Sequence, residues 1–219
     1  MNTQNFIAVI TADLVNSRKI ELADSGQPLW HKALKAELAN WGQSPTDWQI
    51  FRGDSFQLKL DTPAKALLCA ISLKAAVRAL GFNELDLRMA IGVGDQGFVA
   101  EPLTQSSGEA FVSSGLLFDK LKKRRLAIKT PWSELDEQLN LYLDLASLQM
   151  DRWNGHSAQT VAMALKMPNA TQQQIAKALE VPQSRVSERL DRAGFETIMA
   201  MESYCRRLLD HGFVIKKRV

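Results

Sequence analysis

Cysteine and histidine are scarce in this 219-residue chain, which contains two cysteines and three histidines. Two cysteines are too few for a disulfide framework. Cys69 and Cys205 also lie in apolar, helix-like contexts, which favours a reducing compartment. So few thiol and imidazole groups exclude a zinc finger or a histidine-rich metal cluster. The composition therefore excludes the disulfide-rich and zinc-finger classes of protein.

Long apolar runs and a targeting segment are also missing. No apolar run approaches the roughly 18 residues that a membrane-spanning helix needs. Residues 1–13 have no basic start and pass directly into an apolar, strand-like pattern, unlike a signal peptide. We therefore expect a cytoplasmic protein with no membrane partner.

Neither sign of charge dominates the chain. It carries 27 Lys and Arg against 24 Asp and Glu, a formal net charge of +3. Up to Thr130 there are 16 basic and 13 acidic residues, whereas the rest of the chain has 11 of each. Five of the basic residues form one cluster between Lys120 and Arg125. Overall charge therefore gives no argument for or against binding to nucleic acid.

Before residue 131, the apolar patterns predict alternating strands and helices. Residues 6–12 form a continuous, β-branched run typical of a buried strand. Residues 48–60 predict two short strands around a tight turn at Gly53 and Asp54. The other segments predict helices that start near residues 28, 62 and 108, and strands at 85–94 and 125–130. The resulting order, β-α-β-β-α-β-α-β, is that of a split βαβ, ferredoxin-like domain with an added helix and strand.

After Pro131, every clear pattern predicts a helix. A boundary near residue 130 therefore separates an α+β domain, residues 1–130, from an all-α region, residues 131–219. The predicted helix over 64–80 has only a narrow polar side. We expect it to bury a second face, either within the core or against a second protomer.

Two aspartates are expected at neighbouring strand ends of the α+β domain. Asp13 follows the first strand, and Asp54 lies in the hairpin turn. Since the first strand of a split βαβ sheet lies beside the hairpin, the two carboxylates can converge at one sheet edge. Carboxylates suit Mg²⁺ or Mn²⁺, and nucleotide phosphates can complete the coordination. The turn that contains Leu14, Asn16 and Ser17 can present backbone amides to those phosphates. Taken singly, each aspartate is equally at home as an ordinary turn residue.

Three motifs resemble those of class III nucleotidyl cyclases. They are T-A-D-L-V-N-S at 11–17, G-D-S-F at 53–56 and L-R-M-A-I-G-V-G at 87–94. The chain is more similar still to the SatD-type family, which joins such a palm domain to a C-terminal helix-turn-helix. The G-x-A-F helix start of that family is matched at 108–111. The resemblance implies that Asp13 and Asp54 bind a divalent metal ion together with a nucleotide.

The sequence departs from the cyclase pattern at two catalytic positions. Ile50 stands where cyclases place a base-selecting lysine, four residues before the second metal aspartate. Residues 111–117 contain neither the asparagine nor the arginine that stabilises the transition state in cyclases. Loss of one such group typically lowers the rate by about 10²–10³. Arg52 and Arg88 are candidates for phosphate contact, with solvation or surface ion pairing as the alternative.

A second pattern, at about residues 171–193, predicts a helix-turn-helix that resembles those of many bacterial regulators. Thr171 is a suitable N-cap, Pro182 lies at the turn, and the apolar residues of both helices recur at helical spacing. The outward-facing residues expected to contact DNA bases and phosphates are Gln183, Ser184, Arg185, Ser187, Arg189 and Arg192. A basic tail, Lys216 to Arg218, adds three cations. The alternative is a helical hairpin used only for packing or dimerisation, which the neutral charge of residues 131–219 favours.

Together these motifs predict a DNA-binding regulatory protein whose palm domain senses a nucleotide or a divalent metal ion. With so few cations, a monomer would bind DNA weakly, so a homodimer that reads two half-sites is expected. Two alternatives stay open. One is an active nucleotidyl cyclase or nucleotidyl transferase, in which Arg52, Arg88 or a second protomer supplies the missing charge. The other is a protein-interaction or dimerisation module with a degenerate palm domain.

Overall fold

The computed structural model describes residues 6–20 and 26–216, which form a five-stranded mixed sheet and eight α-helices. The strands are β1 Phe6–Val15, β2 Trp48–Phe51, β3 Ser55–Leu60, β4 Asp86–Asp95 and β5 Leu126–Lys129. The helices are α1 Leu29–Leu38, α2 Ala66–Arg78, α3 Glu109–Lys120, α4 Ser133–Met150, α5 Gly155–Lys166, α6 Gln172–Leu179, α7 Gln183–Ala193 and α8 Phe195–Lys216. The predicted α+β class is confirmed. Within the described ranges, every helix is too short or too polar to cross a bilayer.

The strand order across the sheet is β2-β3-β1-β4-β5. Neighbouring strands are antiparallel, except for the parallel pair β4 and β5. The long first strand therefore lies between the hairpin strand β3 and the strand β4. In this register, Asp13 lies opposite Ser55 on one side and Arg88 on the other.

The strand β1 is apolar throughout because both of its faces are covered. Ile10 and Leu14 belong to the large core that α1 and α2 share with the sheet. Ile7 and Val9 point to the opposite face, where they pack against Phe111 at the start of α3. A strand buried on both faces is expected to show a continuous apolar run rather than alternation.

The helix α3 lies unusually close to β4. A Cβ atom added to Gly92 would lie 2.3 Å from the carbonyl oxygen of Ala110 and 2.5 Å from the backbone nitrogen of Ser114. The hydroxyl of Thr11 donates a 2.9 Å hydrogen bond to the hydroxyl of Ser114 across the same interface. Glycine in β4 therefore permits the close approach of the helix to the sheet.

The helix α2 is buried on two faces, and the helical region of the same chain covers the second one. α2 packs on the sheet, and α5 and α8 pack on α2, so that residues from both regions share one hydrophobic core. The Lys74 Nζ lies 2.7 Å from Asp86 Oδ1 and 2.8 Å from Asp151 Oδ1. The Arg78 guanidinium donates to backbone carbonyls, including that of Trp153 at 2.9 Å. The second face of this helix is thus filled without a second protomer.

Candidate functional site

We use the name sheet edge for the end of the sheet at which the central strand β1 ends and the β2–β3 hairpin turns. Asp13 lies there and is paired with an arginine of the neighbouring strand β4. The Arg88 Nε donates a 2.9 Å hydrogen bond to Asp13 Oδ1, and a second guanidinium nitrogen donates to Oδ2. The guanidinium also lies over the ring of Phe118, 5.2 Å from its centroid. Hydrogen bonding to Asp13 raises the pKa of Arg88, and the nearby charge of Asp54 raises it further. The carboxylate of Asp13 is therefore already neutralised by a cation of the protein itself.

Asp54 lies at the same sheet edge and is joined to the turn after β1. The Ser17 hydroxyl donates to Asp54 Oδ2, and the Leu14 backbone N–H donates a 3.3 Å hydrogen bond to the Asp54 carbonyl oxygen. The hairpin turn that carries Asp54 uses the left-handed region at Arg52 (φ 50°) and Gly53 (φ 86°). The two predicted aspartates therefore come together at one edge, and each already has a partner within the chain.

The turn that was predicted to bind phosphate is largely engaged in internal contacts. Asn16 adopts a left-handed backbone conformation (φ 60°), and its side-chain amide donates a 3.0 Å hydrogen bond to the Glu84 carbonyl. Ser17 is buried, and Leu14 uses its N–H on Asp54. Arg52, in contrast, is exposed at the hairpin tip. Of the predicted phosphate contacts, Arg52 is the cation that faces solvent, whereas Arg88 is held by Asp13.

A cleft of about 440 Å³ opens beside Asp54, between the turn after β1, the hairpin and the start of α1. Its lining residues are Ser17, Arg18, Gly26, Gln27, Pro28, Trp30, His31, Arg52, Gly53 and Asp54. The indole Nε1 of Trp30 is buried and has no hydrogen-bond partner among the described residues. Burial lowers the pKa of His31, and the charge of Lys35 lowers it further. The imidazole of His31 thus borders the cleft together with two arginines, Arg18 and Arg52.

Sequence reasoning did not identify Arg18, Trp30 and His31 as candidate site residues. Pro28 correctly marks the start of α1, which places Trp30 and His31 in its first turn. No local pattern shows, however, that this turn packs beside the hairpin that carries Asp54. That neighbourhood is a consequence of the fold.

The metal prediction rests on Asp13 and Asp54 alone. In the part of the chain that the structure describes, no group of three or more His, Cys, Asp or Glu side chains could hold a metal ion. A divalent cation bound by both carboxylates would have to displace Arg88 from Asp13, since the guanidinium occupies both oxygens. Phosphate oxygens would have to supply further ligands. Binding of Mg²⁺ or Mn²⁺ therefore stays a prediction, and it requires both the displacement of Arg88 and ligands from a phosphate group.

The predicted helix-turn-helix segment consists of α6 and α7, packed against α5. The Thr171 hydroxyl accepts a hydrogen bond from the Gln174 backbone N–H, and the Gln174 side chain accepts one from the Thr171 N–H, which completes a capping box. The apolar residues that recur at helical spacing in α7, Val186, Leu190 and Ala193, are buried. The sequence pattern therefore correctly assigns the inner face of α7.

The outer face of α7 carries the residues predicted to contact DNA, although not all are equally accessible. Gln183, Ser184, Arg185 and Arg192 are exposed. Ser187 and Arg189 are half-buried, because they flank the apolar positions of the helix. Arg185 and Arg192 both pair with Glu188, and the Gln183 amide donates a 2.6 Å hydrogen bond to Gln172. Within the described ranges, no carboxylate pairs with Arg189.

The C-terminal end of α7 is anchored to the end of α4. The Trp153 indole N–H donates a 2.9 Å hydrogen bond to the Ala193 carbonyl, and the Gln149 amide donates to the Arg192 carbonyl. The anchoring leaves the N-terminal half of α7 at the surface. Of the predicted basic tail, Lys217 and Arg218 lie outside the described residues.

Comparison of the chain with protein-family models, with curated proteins and with solved structures returned no match.

Proposed function

We propose that this chain is a DNA-binding regulatory protein whose sheet domain binds a nucleotide. The proposal follows the resemblance to the SatD-type family, and one observation carries it. The outer face of α7 presents an exposed glutamine, serine and arginine at its N-terminal end, Gln183, Ser184 and Arg185, while its inner face is fully packed. The two helices α6 and α7 and the turn between them would then act as a helix-turn-helix.

The outward residues of α7 match the chemistry of a DNA groove. Glutamine and serine can read base edges in the major groove, and arginine can bind guanine or phosphate. Glu188 lies between Arg185 and Arg192 and pairs with both. Because this pairing reduces the local positive charge, one copy of α7 would bind weakly, and two copies would be needed for specific binding.

The DNA proposal is tested by removing two arginines of α7 together. Arg185→Ala with Arg189→Ala should lower the affinity for a mixed-sequence duplex by about tenfold or more. The slope of log affinity against log salt should also become shallower by about one for each lost phosphate contact. Fluorescence anisotropy at several salt concentrations measures both quantities.

Arg124→Ala is the matched control, because Arg124 is also an exposed, ion-paired arginine, but lies in the loop between α3 and β5. It should leave DNA binding unchanged. Wild-type protein that binds no duplex even at low salt would contradict the proposal. So would a double variant that binds like wild type.

The nucleotide part of the proposal rests on the sheet topology and on the cleft beside Asp54. The order β2-β3-β1-β4, with α1 and α2 as connections, supports a split βαβ, palm-like domain. Arg18 and Arg52 border the cleft and can attract phosphate groups, while Asp54 can hold the accompanying Mg²⁺ or Mn²⁺. A bound nucleotide would regulate DNA binding by favouring one arrangement of the two copies.

A thermal-shift series with each nucleoside triphosphate and Mn²⁺ tests the nucleotide proposal. At least one triphosphate should raise the unfolding temperature, and Asp54→Asn should abolish that rise. Asp119→Asn, at an exposed carboxylate of α3, is the control and should keep it. No shift with any triphosphate would overturn this half of the proposal and leave the DNA half standing.

A further inference from the structure

The outer face of α4 carries three exposed leucines in a row. Leu141, Leu145 and Leu148 are 57%, 58% and 64% exposed, and their spacing of four and three residues places them on one stripe of the helix. The opposite face of α4 is also apolar, but Leu139 and Leu143 on it are buried in the core. An α-helix that is apolar on both faces needs two partners, and the chain itself supplies one.

The leucine stripe continues in both directions with the same spacing. The six positions, which we call the α4 seam, are Glu134, Gln138, Leu141, Leu145, Leu148 and Arg152. All six are exposed, and the intervals of four, three, four, three and four residues are those of the a and d positions of a coiled coil. Arg152 lies in the turn directly after the helix. The α4 seam therefore has an apolar centre, an acidic N-terminal end and a basic C-terminal end.

We propose that the α4 seam is the dimer interface, on which α4 of a second copy of this chain packs antiparallel. When Leu141 lies opposite the partner's Leu145, the same register places Gln138 opposite the partner's Leu148. It also places Glu134 opposite the partner's Arg152. Two-fold symmetry makes each of these pairs occur twice. A parallel pairing would instead bring like charges together at both ends, which is unfavourable.

A groove beside the seam offers space for side chains of the second copy. It has a volume of about 370 Å³ and lies between α4 and α8. Tyr142, Ala146, Ile198 and Met201 line it together with Leu145. Such a predominantly apolar groove next to a leucine stripe can receive leucines of the partner as knobs into holes.

The proposed dimer would also fix the distance between the two copies of α7. The end of α4 is bonded to the end of α7 through Gln149 and Trp153. Packing of the two α4 helices would therefore hold two α7 helices in a defined relation. The dimer itself does not depend on DNA binding, so that its test needs no DNA.

Sedimentation equilibrium of the full chain tests the dimer. Wild type should sediment at twice the chain mass of 24.4 kDa. Leu145→Glu places a charge at the centre of the α4 seam and should raise the dissociation constant of the dimer by at least about tenfold. The control is Leu116→Glu, at a leucine of α3 that is 57% exposed, and it should leave the dimer intact. A monomeric wild type, or equal effects of the two variants, would overturn the proposal.

A charge exchange tests the antiparallel register. Glu134→Arg alone and Arg152→Glu alone should each weaken the dimer by roughly threefold to tenfold, because each creates like-charge pairs. The two changes combined restore opposite charges in an antiparallel pair, and the dissociation constant should return towards the wild-type value. Absence of this recovery would exclude the register. All of these positions are exposed, and circular dichroism verifies that each variant is folded.

Discussion

At the sheet edge, Asp13 and Asp54 accept hydrogen bonds from Arg88 and Ser17 of the same chain. A cation bound by both carboxylates would therefore have to displace Arg88 from Asp13. On α7, by contrast, the internal pairs are exposed: the Gln183 amide bonds to Gln172, and Glu188 pairs with Arg185 and Arg192. If DNA binds at α7 as proposed, it would displace water and exposed pairs of this kind, which contribute little stability. The polar groups of both regions have internal partners, but those at the sheet edge are largely buried and those on α7 are exposed, so that α7 needs less rearrangement to bind a ligand.

The sheet domain and the helical region that contains α7 also meet at a buried lysine and a buried arginine of α2. Lys74 of α2 bonds to Asp86 at the start of β4 and to Asp151 after α4. Arg78 of the same helix reaches the Trp153 carbonyl. The sheet edge and α7 therefore belong to parts of the chain that share one continuous core. A substitution at this junction should lower the stability of both parts.

The largest effect is expected from Lys74→Ala. The lysine is 1% exposed, and its removal leaves Asp86 buried without its cation. Loss of one partner of a buried ion pair typically costs about 3–5 kcal/mol of unfolding free energy. Urea unfolding followed by tryptophan fluorescence and by far-ultraviolet circular dichroism should show one destabilised, coincident transition. Lys65→Ala, at an exposed lysine just before α2, is the control and should change little. Two separate transitions in wild type would show that the regions are independent.

A smaller effect is expected where α3 approaches the sheet. Gly92→Ala forces a Cβ atom against the Ala110 carbonyl, and overpacking of this kind typically costs about 1–3 kcal/mol. The matched change Gly115→Ala, in α3 itself, meets nothing within 4 Å. It should stabilise the protein by about 0.4–1 kcal/mol, because alanine restricts the unfolded chain. Thermal unfolding measures the change in stability of each variant. Changes of the same sign in the two variants would contradict the close packing of α3 against β4. DNA affinity should stay unchanged in both variants if α7 is independent of this contact.

Local patterns predicted the elements well because their causes are local. The alternation of Phe56, Leu58 and Leu60 indicates β3, and the left-handed Gly81 follows the end of α2. Likewise, the cap at Thr171 and the apolar stripe of α7 depend on residues close in sequence.

The partners of the site residues could not be predicted, because they depend on strand register and on packing. Arg88 is 75 residues away from Asp13 in the sequence, and only the pairing of β1 with β4 places them opposite each other. The narrow polar side of α2 indicated that a second face is buried, but not what covers it. Lys74 on that side is buried and pairs with Asp151, which comes from the distant end of α4.

The ion pair at the sheet edge can be broken directly with Arg88→Ala. Removal of the guanidinium frees both oxygens of Asp13 and removes a positive charge beside Asp54. Binding of Mn²⁺ should therefore become about tenfold tighter or more, since unit charges a few ångströms apart interact by a few kcal/mol near a protein surface. Isothermal titration calorimetry with Mn²⁺ alone measures the change, and Arg124→Ala is the control. If the variant binds Mn²⁺ no better than wild type, the two aspartates do not form a cation site. The sheet edge would then differ from α7 in having no ligand to bind through these carboxylates.

The smallest effect is expected from the titration of His31 beside the cleft. Burial and the charge of Lys35 hold its pKa below 6.5 in the folded chain. As the pH falls, the unfolded chain therefore takes up this proton before the folded chain does. The free energy of unfolding should decrease as the pH falls from about 6.5 towards the lower, folded-state pKa. Urea unfolding at several pH values measures this slope.

The variant His31→Gln should flatten the slope below pH 6.5, whereas His156→Gln, at an exposed histidine of α5, should leave it unchanged. The His31 imidazole also tests whether a phosphate-bearing ligand binds in the cleft. Negative charge in the cleft favours the protonated imidazole, so that saturating nucleotide should weaken the loss of stability at low pH or reverse it. A slope that is equal in wild type and in His31→Gln would contradict the lowered pKa. If nucleotide does not alter the dependence of unfolding free energy on pH, any bound phosphate lies away from His31, and so outside the cleft that His31 shares with Asp54.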